Sequence, residues 1–107
     1  MAALRIVTLG NLKGGTGKST LALTLAIALL RRGRSVGTLD LDAVQGTLTR
    51  FLQARAEEAA RSGVALPMPI HHAIVASDAA DPAFAREEDR VRVRLALQEL
   101  LPAVEVI

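Results

Sequence analysis

The chain has 107 residues, half of them apolar, with Phe51 and Phe84 as the only aromatics and no cysteine. These limits allow one domain at most, with a core of Leu, Val, Ile and Ala, and exclude disulfides, thiolate metal sites and a cysteine nucleophile. Net charge is +2, but residues 1–56 carry eight basic and two acidic side chains (+6), whereas residues 57–107 carry five basic and nine acidic (−4). An anionic ligand is therefore expected on the first half.

Residues 5–9 are short, apolar and β-branched and stop at Gly10, which predicts a strand. Gly14, Gly15 and Gly17 then interrupt any periodic pattern. A helix is predicted over residues 18–32 with Gly33 as its stop, and Arg31, Arg32 and Arg34 suit the negative end of its dipole. A second strand over 35–39, closed by Asp40, completes a β–loop–α–β unit whose two strands should run parallel with a right-handed crossover. A second helix is predicted over 47–61, with Leu48, Phe51, Leu52, Ala56, Ala59 and Ala60 inward and Ser62-Gly63 as its end. Residues 64–80 are irregular, with room for one short strand. Asp81-Pro82 reads as an N-cap followed by proline at the first helical position of a third helix, which runs to Leu101 with Val93, Leu97, Leu100 and Leu101 inward. Pro102 stops it. Residues 103–107 begin another strand, and ending on the apolar pair Val106-Ile107 predicts that the chain is the front part of a longer domain.

The start of the chain does not read as a secretory signal. The longest largely apolar run, residues 21–30, has ten residues, about half of the ~20 that a membrane span needs. No transmembrane segment and a cytoplasmic location are expected.

The segment Gly10-Asn11-Leu12-Lys13-Gly14-Gly15-Thr16-Gly17-Lys18-Ser19-Thr20 carries the chemistry. It follows a predicted strand and opens a predicted helix, the setting that a phosphate loop requires. Glycines let the backbone fold round phosphate oxygens with no Cβ in the way. The freed N–H groups and the helix N-terminus supply donors and positive potential. Gly14, Gly15, Thr16, Gly17 and Thr20 would line the phosphates, and Lys18 would reach the β- and γ-phosphates. The Ser19 hydroxyl would bind a Mg²⁺ bridging them. The ordinary pattern G-x-x-x-x-G-K-[ST] fails here, because Leu12 stands at its first glycine. The pattern K-G-G-x-G-K-[ST] fits at every position from Lys13 to Ser19.

A second cluster, Leu39-Asp40-Leu41-Asp42, closes the next strand. Ligands of parallel sheets sit at the carboxyl ends of strands. Residues i and i+2 of a strand share a face, so Asp40 and Asp42 are both candidates for one Mg²⁺–water cluster. The competing reading is a cap for the turn or helix that follows. His71 and His72 are adjacent, so on a strand they face opposite sides and serve poorly as a shared metal site; a surface or loop role is expected for them. Glu87-Glu88-Asp89 is placed in the first turns of the third helix, where acids suit the dipole. Arg50 and Arg55 read as solvated helix arginines, with a dimer or partner face as the alternative.

The segment from Lys13 to Ser19 resembles the deviant Walker A loop of the ParA/MinD family of P-loop ATPases. The fold this implies is α/β, a P-loop NTPase with a parallel sheet flanked by helices, and residues 1–107 would be the N-terminal part of one such ATPase domain. The resemblance implies ATP and Mg²⁺ as cofactors and a nucleotide-dependent homodimer in which Lys13 reaches the partner's nucleotide. It also implies Asp42 as the residue that orients the attacking water and Asp40 as support for the metal through water. The resemblance also implies a Walker B acid at the end of the strand that neighbours the phosphate-loop strand; residues 103–107 look like that strand and the acid would follow Ile107, so these residues alone are expected to bind nucleotide weakly and not to hydrolyse it. Asp40-Leu41-Asp42 is followed by Ala43 and by Gln45, where ParA proteins usually read D-x-D-P-Q-G. With Thr49-Arg50-Phe51-Leu52, Arg55 and Leu66-Pro67, this looks more like the MipZ subfamily of division-plane positioning ATPases. That likeness implies non-specific DNA, a ParB-like protein and the tubulin-like division protein as partners. Two alternatives remain at this stage. One is a biosynthetic or reductase enzyme on the same fold, cobyric-acid synthetase-like or nitrogenase iron-protein-like. The other is a nucleotide-binding adaptor that does not hydrolyse.

Overall fold

The computed structural model describes residues 5–9, 17–42 and 45–107. In chain order these form α1 (Lys18–Arg31), β1 (Gly37–Asp40), α2 (Thr47–Ser62), β2 (Ile70–Ala73) and α3 (Pro82–Leu100). α1 ends in a Schellman turn. Gly33 has φ +81°, and its N–H reaches Leu30 O at 3.0 Å while the Arg34 N–H reaches Leu29 O at 3.0 Å. Both bonds need the left-handed backbone that glycine adopts without strain. α3 begins as its sequence predicts: Pro82 stands in its first turn, and the Asp81 carboxylate accepts the Ala83 N–H at 3.0 Å.

β1 and β2 pair in parallel, with Thr38 opposite His71 and Asp40 opposite Ala73. The two outer predicted strands appear as single parallel bridges, Arg5 to Val106 and Val36 to Val106. Backbone bonds extend these bridges. Arg5 N–H donates to Glu105 O (3.1 Å), Val7 N–H to Ile107 O (2.9 Å) and Gly37 N–H to Val106 O (2.8 Å). The order across the sheet is therefore 5–7, 105–107, β1, β2. The segments before and after α1 are parallel, as a β–loop–α–β unit requires, but residues 105–107 lie between them. Residues 6–9 are not a regular strand: Ile6 and Val7 stay 58% and 48% exposed, without the burial that stabilises a central strand.

Successive strand residues point to opposite faces, and the side-chain contacts show which helix covers each face. On one face Asp40 and His71 meet Thr49 of α2, and Thr38 meets His71. On the other, His72 meets Glu99 of α3, and a Cβ placed on Gly37 would lie 2.8 Å from Leu100 Cδ2. A parallel sheet flanked by helices is thus the observed architecture. Among the described residues its core comprises Ala26, Val36, Leu48, Leu52, Ala96, Leu100 and Val104, with Leu100 fully buried.

Four predicted core positions are corrected. Phe51, Ala56 and Ala60 of α2 are exposed, as is Leu101. The inward stripe of α2 is Leu48, Leu52, Arg55 and Ala59, narrower than composition suggests. Arg55 is on it because its Nε–H donates to Pro67 O at 3.0 Å, so it holds the following loop and is not a solvated arginine. Arg50 is exposed. Ala96 occupies the place in α3 that Leu101, just past the last turn, does not. Glu88 and Asp89 lie beyond the first turn of α3, where dipole effects fade. They instead accept from the Ser77 Oγ–H (3.0 Å) and N–H (2.7 Å). Among the described residues no helix is long and apolar enough to cross a membrane.

Candidate nucleotide and metal site

α1 starts without a side-chain cap. Gly17 is its N-cap at φ +84°, a left-handed conformation that strains a side chain, and the first turn holds no acidic residue. Gly17 O accepts the Leu21 N–H at 2.9 Å, so the helix begins at Lys18 and the amides of Lys18, Ser19 and Thr20 precede the first intrahelical donor. This end of α1 is polarised positive. Lys13, Gly14, Gly15 and Thr16 lie outside the described residues.

The carboxyl end of β1 stands beside this helix start. Lys18 Nζ lies 3.9 Å from Asp42 Oδ2, with both side chains partly exposed. An ion pair at that distance and exposure contributes little stability, which leaves the ammonium available to a stronger anion. A hollow of about 1060 Å³ opens here, and its walls include Gly17, Ser19, Thr20, Asp40, Asp42 and Gln45. Among the described residues, backbone donors, the Lys18 cation and two carboxylates thus converge on a single concavity.

The two aspartates do not share a face in the way that strand alternation predicts. β1 ends at Asp40, and the backbone turns immediately after it. Asp40 is buried, at 7% exposure. Its Oδ1 accepts the Asp42 N–H (3.0 Å), and its Oδ2 accepts both the N–H (3.2 Å) and the hydroxyl (2.8 Å) of Thr49. Asp40 therefore caps α2 from outside that helix. The carboxylate takes the place of the side chain that Gly46, the N-cap of α2, lacks. A carboxylate oxygen has more than one acceptor site, so the capping bonds leave Asp40 capacity to accept from a metal-bound water. Asp42, half exposed, faces Lys18.

His71 completes the cluster. Its Nδ1 lies 2.8 Å from Thr38 Oγ1 and its Nε2 lies 2.8 Å from Thr49 Oγ1. Burial holds its pKa below the ordinary histidine value, opposed by the Asp40 charge and aided by His72, so the ring is neutral near pH 7. The single Thr49 proton goes to Asp40. Thr49 must then accept from Nε2–H, which leaves Nδ1 to accept the Thr38 hydroxyl proton. His72 points the other way, to Glu99 Oε2 at 3.2 Å, as expected for adjacent strand residues. The sequence offered one overlooked signal for this cluster: a helix opening Gly46-Thr47 has no N-cap side chain of its own, which leaves its first amides open to an acceptor from elsewhere.

Comparison with known proteins places the fold. The profile of the family described as ATPase MipZ matches residues 5–107. The chromosome-partitioning ATPase Soj of Thermus thermophilus is 48% identical over 56 residues, 52% of this chain and 22% of that protein. The cytosolic Fe-S cluster assembly factor cfd1 of Emericella nidulans is 39% identical over 62 residues, 57% of this chain and 19% of its own length. The iron-sulfur cluster carrier protein of Mycobacterium leprae is 34% identical over 73 residues, 68% of this chain and 19% of its own. The matched region spans about a fifth of each relative's length.

Proposed function

The chain belongs to the ATPase MipZ family within the ParA/MinD-type P-loop proteins, and from that premise we propose that it is the N-terminal part of an ATPase domain that binds ATP with Mg²⁺ and dimerises on it. The observation that carries this reading is the uncapped, left-handed start of α1 at Gly17, with Lys18 beside it and Asp42 across the hollow. In this proposal the amides of residues 14–20 and the Lys18 ammonium hold the phosphates, and Ser19 supplies a hydroxyl to Mg²⁺. Thr16 and Thr20 line the phosphates. Asp40 accepts from metal-bound water while capping α2. Asp42 orients the attacking water, and Lys13 reaches the nucleotide of the partner subunit. A Mg²⁺ held there by Ser19, with Asp40 reaching it through water, would neutralise phosphate charge.

The cellular role that fits this switch is chromosome partitioning or positioning of the division site. DNA, a ParB-like protein and the tubulin-like division protein are its proposed partners, and the cytoplasm its proposed location. The Soj relative carries a partitioning name, which supports this role. A second reading has its own support: two relatives are named for Fe-S cluster assembly or carriage. A cluster carrier would need thiolate ligands outside these 107 residues, which contain no cysteine.

Light scattering of the full gene product with and without ATP tests the switch. The wild-type protein should dimerise with ATP. Lys13→Ala should retain nucleotide yet stay monomeric, and Asp42→Ala should dimerise yet hydrolyse slowly. ATP-driven dimers of Lys13→Ala, or normal turnover by Asp42→Ala, would remove the respective residue from its role.

A further inference from the structure

We propose that His71 is a positioning residue for ATP hydrolysis, acting through Thr49 on the Asp40 carboxylate and through Asp40 on the backbone of Asp42. The inference rests on the ATPase reading above and adds a residue to it.

Three observations carry it. The first is continuity: Thr38 to His71, His71 to Thr49 and Thr49 to Asp40 are each 2.8 Å, and Asp40 to the Asp42 N–H is 3.0 Å. The second is direction. Thr49 has one hydroxyl proton and gives it to Asp40, and the His71 Nε2–H on its acceptor side holds the hydroxyl in that orientation. Without that donor the hydroxyl can rotate, and one of three bonds that hold the carboxylate weakens. The third is how Asp42 is held. Its N–H is bound by Asp40, and its C=O accepts the Gly46 N–H at 2.7 Å. Gly46 is the N-cap of α2, and Thr49 lies in that helix's first turn. Both backbone anchors of Asp42 therefore trace to the start of α2, and His71 fixes that start to the sheet from β2, the strand next to the one that carries Asp40. The His71 ring stands behind the wall residues Thr38 and Asp40, does not line the hollow itself and makes no hydrogen bond to Lys18 or Asp42, so it acts by geometry and takes no part in bond making.

The test uses steady-state ATP hydrolysis by the full gene product. Three variants separate geometry from general packing. His71→Gln keeps an N–H donor near the Nε2 position, His71→Asn reaches only toward Thr38, and Thr49→Val removes the link itself. Loss of an outer hydrogen-bond partner at a metal site reduces activity about 10-fold or more. We expect a kcat loss of that order for His71→Asn and Thr49→Val, with KM for ATP little changed, and kcat near wild type for His71→Gln. Combining His71→Asn with Thr49→Val should add nothing to either loss. Wild-type kcat in His71→Asn would overturn the inference. So would equal losses in the Gln and Asn variants, because these report packing and not the Thr49 bond. Wild-type protein without hydrolysis dependent on Lys18 would overturn the ATPase reading itself, a result distinct from either of the other two.

Discussion

Replacing Asp40 with asparagine separates its capping role from everything around it. The carboxylate accepts three bonds, from Asp42 N–H, Thr49 N–H and Thr49 Oγ1–H, and is 7% exposed. Asparagine has nearly the same shape but one acceptor oxygen. Turned toward Thr49 it keeps two bonds and sets an NH₂ group against the Asp42 N–H, donor facing donor. One charged hydrogen bond is lost, worth about 1.5–3 kcal/mol. The favourable interaction of the carboxylate with the α2 N-terminus also goes, about 0.3–1 kcal/mol. The expected cost is about 2–4 kcal/mol, read in the full gene product as a lower denaturant midpoint and a lower melting temperature. Urea and thermal unfolding followed by circular dichroism in nucleotide-free buffer measure it. Thr49→Val should cost less alone, and the pair should cost less than the two separate losses, because they remove a shared bond. A change below about 0.5 kcal/mol in Asp40→Asn, the range of ordinary surface substitutions, would refute the capping argument.

Gly37→Ala places a Cβ 2.8 Å from Leu100 Cδ2 and 3.3 Å from Val104 Cγ2, and Leu100 is fully buried, so the clash is not relieved by a shift into solvent. Overpacking of this kind costs about 1–3 kcal/mol, and Leu100→Val in the same chain should recover part of it in chemical denaturation. Acid sensitivity follows from His71. Its folded-state pKa is lowered by burial, so the unfolded chain binds a proton first, below about pH 6.5. Stability should be complete above that pH and decline as pH falls from 6.5 through the lowered folded value. The slope is at most about 1.4 kcal/mol per pH unit and smaller for a half-buried ring. His71→Gln should flatten the profile between pH 7 and pH 5, and an unchanged slope would contradict the assignment. Glu105 acts lower: Arg34 and Ser35 hold its pKa below the usual glutamate value, so its contribution is present above about pH 4.5 and lost below it.

The fold was largely legible in the sequence because its signals are local. Gly33 and Gly63 end α1 and α2, Asp81-Pro82 starts α3, and residues 70–73 supply the one short strand expected in the irregular stretch. What local patterning misses is non-local. No periodicity shows that residues 105–107 lie between residues 5–7 and β1, because that pairing spans the length of the chain; only the family resemblance, whose Walker B strand neighbours the phosphate-loop strand, set residues 103–107 beside the start of the chain. The inward face of α2 was overdrawn because alanines match a helical stripe whether or not anything packs on them, and Ala56 and Ala60 are exposed. At the site, the positions of Lys18 and Asp42 on facing elements follow from motif and strand end. The role of His71 does not: its partners are 33 and 22 residues away, and a histidine beside another histidine carries no mark of an ordered network.

The central claim is that the start of α1 receives a polyphosphate with Lys18 as its principal cation. Calorimetric titration of the full gene product with Mg²⁺–ATP, wild type against Lys18→Ala, measures this directly. The account predicts saturable binding in the wild type and none detectable in the variant, with both proteins equally folded. Equal ATP affinity in the two would contradict it.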